Sequence, residues 1–373
     1  MICKEITYNN FRNIENETLK LSPGVNVIHG ENAQGKSNML EGIYFFARGR
    51  SFRASKDKEL IRFGESEAHL SLEFTRDESE RITTLTATIP NQGKKIITRN
   101  GAKLSSLKEM IGSFRAVLFC PAHLTLVDGG PSLRRSFLDI ALSQLYPAYL
   151  DSLAQYNRAL GQRTALLRDA AAGKKIDAYM WEIYADQLAK AGARIAARRW
   201  EYVGGLSDSV SEFFCEMTDG KEAPTLTYKS DAIEADMTYD DIITEGEKLL
   251  FDSITASLEK DIKYAMNSHG VHRDDIAIKI NQKDARLYAS QGQRRSLALS
   301  MKLAEGELSK KATGEFPVFL LDDVLSELDR NRRSYILGCL RHRQIIVTSC
   351  EDDHFKGDNV KFITASGGRI IEQ

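Results

Sequence analysis

The chain has 373 residues, 42% of them hydrophobic and 28% charged, which suits one large or two ordinary globular domains. A formal net charge of −1 excludes a chain that is basic throughout, so any nucleic-acid surface must be a local patch. No run of about eighteen apolar residues occurs, which excludes a transmembrane helix, and the five cysteines contain no Cys-x-x-Cys pair, so neither a zinc site nor a redox motif is indicated; their odd number points to a reducing cytoplasm.

Residues 1–125 read mainly as strands with turns, because ICKEITYNNF, EAHLSLEFT, RITTLTATI and FRAVLFC alternate apolar and polar positions. Within this region HGENAQGKSN, residues 29–38, follows an apolar run and fits Gly-x4-Gly-Lys-Ser through Gly30, Gly35, Lys36 and Ser37. Glycines allow the tight turn that brings backbone N–H groups to a β-phosphate. Lys36 supplies a point charge to the β- and γ-phosphates, and the Ser37 hydroxyl is a ligand for Mg²⁺. The helical pattern SNMLEGIYFFA that follows adds a favourable N-terminal dipole. Strand, loop and helix in that order predict an ATP site rather than a glycine turn with a surface lysine.

Residues 126–270 change character. Three long helix-spaced patterns run from Pro131, from Ile176 and from Glu245, punctuated by AAAGKK and CEMTDGKEAPTL. From 271 to 373 the α/β character returns. FPVFLLDD (316–323) is an apolar strand ending in two carboxylates, a Walker B arrangement: Asp322 would serve the Mg²⁺ shell and Asp323 would orient the attacking water. Ahead of it, Ser290 stands as N-cap of a strongly periodic helix, and SQGQRR is richer in polar residues than a cap requires. The resulting picture is an α/β nucleotide domain built from 1–125 and 271–373, with a helical arm, 126–270, inserted.

The stretches NNFRN (9–13), HGENAQGKSNMLEGI (29–43), GRSFR (49–53), GPSLRRSFLD (130–139), HRDD (272–275), ARLYASQGQRRSLALSMKLAE (285–305) and FLLDDVLSELD (319–329) run in order along nearly the whole chain. Together they resemble the RecF family, bacterial recombination-repair ATPases related to the SMC heads. The resemblance implies an ABC-type, SMC-head-like P-loop ATPase with mixed β-sheets. It further implies a homodimer formed on ATP that binds DNA, acts in replication, repair and the SOS response, and works with RecO and RecR to load RecA at single-strand gaps.

Carried over by motif, Gly30, Glu31, Asn32, Ala33, Gln34, Gly35, Lys36, Ser37 and Asn38 form Walker A. Ser290, Gln291, Gly292, Gln293 and Arg294 form a signature acting across the dimer, and Asp322 and Asp323 form Walker B. Ser326 and Asp329 belong to the loop that crosses the interface, and Arg12 is expected near the nucleotide. The chain departs from the family at PAHL (121–124), where Pro-Glu-Asp-Leu is usual, so no Q-loop glutamine is assigned. Thr348 is expected to sense the γ-phosphate in place of a switch histidine, His342 and His354 being too distant in sequence. Asp323 is one methylene shorter than the glutamate of many ABC ATPases, which predicts slow hydrolysis suited to a timed clamp.

A transport ATPase subunit fits less well, because the long insertion separates Lys36 from Ser290 and the signature is not Leu-Ser-Gly-Gly-Gln. An SMC-type organiser needs hundreds of heptad residues, and a small-molecule kinase leaves the SQGQRR segment unexplained. For DNA, Lys190, Arg194 and Arg198 recur every four residues with Arg199 beside them, a basic stripe if the face is not simply solvated. Arg50 and Arg53, with Lys56 and Lys58, and Arg158, Arg163 and Arg168 are further candidates. No base-reading motif is present, so single- or double-stranded DNA would be held by its backbone. The seven acidic positions of 231–247 would face a basic protein partner instead.

Overall fold

The strand expected before the glycine loop forms as Val25–His29, in the interior of a six-stranded sheet. The computed structural model describes residues 1–76, 81–218, 220–234, 236–350, 355 and 360–372. It divides into two units, Met1–Thr125 with Lys302–Gln373, and Leu126–Met301.

In the first unit, the strand order is Arg369–Glu372, Val360–Ser366, Val25–His29, Ile345–Ser349, Val318–Asp322, Ala116–Phe119. All neighbours are parallel except the Arg369–Glu372 hairpin. Val318–Asp322 is buried along its whole length, as a parallel strand covered on both faces must be, and this is why VFLLD reads as a continuous apolar run. A second, antiparallel sheet runs Ile14–Lys20, Ile2–Phe11, Glu67–Thr75, Thr83–Pro90, Ile96–Arg99, Ala102–Lys103. Its strands alternate, with Leu70 and Leu72 facing the core.

Side chains of both sheets and of the helix Lys36–Arg48 share one hydrophobic core, in which Met39, Leu40, Ile43, Phe45 and Phe46 are buried. A helix apolar nearly all round must be enclosed. Its approach to the antiparallel sheet depends on Gly42: a Cβ there would lie 2.5 Å from the Tyr8 ring, whose hydroxyl donates to Met39 O at 2.7 Å.

The second unit is built on helices Pro131–Leu145, Pro147–Ala171, Ala178–Met217 and Tyr239–Ala256, the third being 40 residues long. Pro131 and Pro147 each occupy the first turn of their helix, where the missing N–H costs nothing. A three-stranded antiparallel sheet, Lys283–Asp284, Asp275–Ile280, Pro224–Lys229, completes it. The arm was expected to close at 270, but this unit runs to Met301. The reason is pairing: Asp275–Ile280 registers with Pro224–Lys229, and Arg134 forks Asp275 with bonds of 2.7 and 2.8 Å. No helix among the described residues is long and apolar enough to cross a membrane.

Candidate functional site

Walker A is shaped by backbone that only glycine adopts readily. Gly30 has φ +151° and Gly35 φ +101°, and a Cβ on Gly30 would lie 2.3 Å from Ala365 O. Gly35 is the N-cap of Lys36–Arg48 and offers no capping side chain, so the first helical N–H groups remain open to an anion. The turn after Val360–Ser366 fixes the loop from outside: Gly368 N donates to Gln34 O at 3.1 Å and Gly367 N to Gln34 Oε1 at 2.5 Å. Lys36 Nζ folds back over the loop, donating to Gly30 O at 2.6 Å and Glu31 O at 2.8 Å.

The carboxylates of the Val318–Asp322 strand end meet this loop. The Ser37 hydroxyl lies near the Asp322 carboxylate and favours its charged form. Burial pushes the Asp322 carboxyl above the ordinary carboxylate range, against the opposing pull of the Ser37 and Thr348 hydroxyls. Asp323 has φ +50°, uncommon for a non-glycine residue, and its carboxylate and carbonyl both accept from Ser326 Oγ. Hydroxyl and carboxylate are the hard oxygen donors that Mg²⁺ prefers. No cluster of three or more His, Cys, Asp or Glu suited to a metal exists among the described residues, so an Mg²⁺ here would be completed by phosphate oxygens and water. The residues present therefore fit a Mg²⁺–nucleotide.

Three expected site residues are placed differently. Thr348 is 1% exposed; its hydroxyl donates to Asp322 Oδ1 at 3.0 Å and accepts from Asp323 N at 2.9 Å, so it braces Walker B instead of facing outward as a sensor. Arg12 forks Glu41, one turn beyond Ser37, at 2.8 and 2.9 Å, and also donates to Glu59 O. Its guanidinium is held beside the glycine loop. Arg53, read as a DNA contact, donates to Asn38 Oδ1 at 3.2 Å and lies within electrostatic reach of Asp322.

Sequence reasoning missed Asn13 and Cys350. Asn13 Oδ1 accepts from Asn38 Nδ2 at 2.8 Å, and its side chain fills the space over Gly35. Cys350 Sγ lies 3.4 Å from Lys36 Nζ and 3.1 Å from Asn32 Oδ1, against the loop. Only the strand register places it there, Ser349 opposite His29. His123, within PAHL, follows the strand Ala116–Phe119 beside Walker B; burial, with the Lys302 charge, lowers its pKa to about 3. His342 lies in the turn before Ile345–Ser349, and His354 lies outside the described residues.

In the second unit Ser290 is an N-cap: its Oγ accepts from Gln293 N at 3.2 Å while Gln293 Oε1 accepts from Ser290 N at 2.6 Å, a reciprocal capping box. Gln293 also reaches Glu222, and Arg294 lies 3.6 Å from Asp128. Gln291 is exposed and Gly292 half-buried at the head of Gln291–Thr313. In the first unit, Asp329 caps Arg330–Cys339 through Arg332 N at 3.0 Å, and both it and Ser326 are exposed.

The basic stripe is partly corrected. Lys190 and Arg194 are exposed, Lys190 pairing with Asp186 at 2.8 Å, and Arg198 pairs with Glu201 at 2.7 Å while lying over Tyr146 and Tyr239. Arg199, 2% exposed, is not on that surface: it donates to Val271 O at 2.7 Å, to Asp139 at 2.8 Å and to Tyr149 Oη at 3.1 Å. Arg163 is likewise buried against Asp261 at 2.7 Å. Arg50, Arg158 and Arg168 are exposed.

The family model described as "RecF/RecN/SMC N terminal domain" matches residues 2–368. The chain is 39% identical over 373 residues to the DNA replication and repair protein RecF of Clostridium perfringens strain 13, covering 99% of each. It is 36% identical to the protein of that name from Thermoanaerobacter pseudethanolicus, covering 100% of each. Among solved structures it is similar to the recombination mediator protein RecF bound to ATP in the RecFOR pathway, with a TM-score of 0.91, 37% identity and coverage of 100% and 97%. An SMC head bound to the C-winged helix domain of ScpA matches at a TM-score of 0.58 and 15% identity, over 100% and 98% of the two chains, and shares the fold.

Proposed function

The chain belongs to the RecF family, and from that premise we propose that it is an ATP-switched DNA-repair protein whose nucleotide site is completed by a second copy. The first unit binds ATP with Mg²⁺ through Walker A and Walker B. The signature of the second unit, Ser290 to Arg294, closes on ATP held by the partner, and Ser326 and Asp329 face the same interface. ATP binds the closed dimer better than the open monomer, so it shifts the population towards the dimer, and slow hydrolysis by water oriented at Asp323 releases it. The dimer holds DNA through its backbone and acts with RecO and RecR to load RecA at single-strand gaps. The relative solved with ATP in the RecFOR pathway supports this reading.

The observation that carries it is the meeting of the two motifs: the Ser37 hydroxyl near the Asp322 carboxylate, with Lys36 folded over the same loop. The test is the molar mass in solution with and without ATP·Mg²⁺, for the wild type and for Ser290→Arg. A wild type that dimerises on ATP and a variant that binds ATP but stays monomeric is the expected result. A variant that dimerises as well as wild type would remove the signature from the closing surface.

A further inference from the structure

Leu287 and Tyr288 are 68% and 70% exposed, and among the described residues no other two adjacent large apolar side chains are exposed. Isolated exposed apolar residues are ordinary, whereas a contiguous pair marks a surface suited to being covered. The pair is not a frayed end. Asp284 caps the short helix Ala285–Tyr288, its Oδ1 accepting from Arg286 N at 2.8 Å. Ala285 and Ala289 on either side are buried, and Ala289 N donates back to Ala285 O at 3.2 Å. The next residue, Ser290, is locked in its capping box with Gln293. Both side chains are thus presented by an ordered turn immediately before the signature.

We propose that Leu287 and Tyr288 are buried against a second copy of this chain when it closes on ATP, with Tyr288 beside the partner's nucleotide. This deepens, and rests on, the composite-site reading above. Two residues of fully extended chain span at most about 7 Å, so wherever Ser290 meets a γ-phosphate, the Tyr288 backbone lies within that distance of Ser290, at the margin of the same closing surface. A closing surface of Ser290, Gln291, Gly292, Gln293 and Arg294 alone would be polar and would bury little apolar area. Homodimer interfaces are more apolar at their core, and tyrosine is enriched among the residues that carry their binding energy. Side chains already held by an ordered turn lose less freedom on docking, which favours association.

The test uses the full chain with Leu287→Ser and Tyr288→Ser, singly and together. ATP affinity is measured at protein concentrations where the chain is monomeric, and the dimer dissociation constant is measured with ATP·Mg²⁺ by sedimentation. We expect monomer ATP affinity within about two-fold of wild type and dimerisation weakened by about ten-fold or more in the double variant. As a second readout, Tyr288→Trp should show a blue shift of its added emission on ATP-driven dimerisation. A double variant that dimerises like wild type, while Ser290→Arg does not, overturns this inference and leaves the composite site standing. A wild type that stays monomeric with ATP·Mg²⁺ overturns both. Dimerisation unchanged with DNA affinity lost would assign the pair to DNA, and that too overturns it.

Discussion

At Walker B one hydroxyl serves both carboxylate residues. Thr348 Oγ1 donates to Asp322 Oδ1 and accepts from Asp323 N, and it is buried where water cannot replace it. Thr348→Val keeps the shape and removes both bonds, leaving a buried carboxylate oxygen and a backbone N–H short of a partner, at a cost of about 1–3 kcal/mol. The expected outcome is a lower melting temperature and slower single-turnover phosphate release, with ATP affinity little changed. An unchanged melting temperature with weakened ATP binding would return Thr348 to the role of a sensor. The glycines and the lysine of the loop were legible because Gly-x4-Gly-Lys-Ser is local. Thr348's orientation was not, since it depends on the pairing of Asp322 with Thr348 across two strands. The same limit explains Arg199. Spacing by four aligns Lys190, Arg194 and Arg198, but the next residue turns about 100° around the helix, onto the face covered by Asp139, Tyr149 and the Val271 carbonyl.

At the scale of the helix, glycine substitutions separate propensity from packing. Gly204 lies in Ala178–Met217 with nothing within 4 Å of a built Cβ. Alanine there restricts the unfolded chain and favours the helix, so Gly204→Ala should raise stability by roughly 0.5–1 kcal/mol. Gly306 lies in Gln291–Thr313, where propensity predicts the same gain. Its Cβ, however, would meet the Phe319 ring at 2.4 Å, and Phe319 is fully buried on the Walker B strand. Overpacking of that kind costs about 1–3 kcal/mol, which exceeds the gain, so Gly306→Ala should be destabilising. Denaturant midpoints of the two variants should move in opposite directions; a shared sign would show that the Phe319 ring yields freely. Leu297, Leu299, Met301 and Leu303 were readable as core residues of this helix, and all are buried. The contact that makes Gly306 necessary was not, because it joins a helix to a later strand through tertiary packing.

Over the whole chain, the return of α/β character after the helical patterns revealed that both ends build the nucleotide unit. The pairing of Asp275–Ile280 with a strand preceding it by some fifty residues was hidden in short, ambiguous apolar runs. Each unit also holds a half-buried histidine whose pKa is lowered, and this contributes a pH dependence to the fold. In the second unit His272 Nδ1 accepts from the Tyr156 hydroxyl at 2.7 Å, which leaves Nε2–H to donate to Asn267 O at 3.2 Å. Burial, helped by the Arg273 and Arg135 charges and opposed by Asp261, lowers its pKa to about 4. His123 in the first unit is lowered further. Above the ordinary histidine pKa of about 6.5, folded and unfolded states are both neutral there and nothing is lost. As pH falls below it the unfolded ring takes a proton that the folded ring refuses, so stability declines until the folded ring titrates near its own pKa of about 4. The raised carboxyls of Asp274, Glu305 and Asp322 bind protons preferentially in the folded state and oppose that slope. The decisive quantity is therefore a difference. His272→Gln should lose stability at pH 8, where its two bonds are replaced imperfectly, yet show a shallower decline in melting temperature between pH 6.5 and pH 4.5 than wild type. Parallel curves over that interval would place the acid sensitivity elsewhere, with His123→Gln as the next variant to compare.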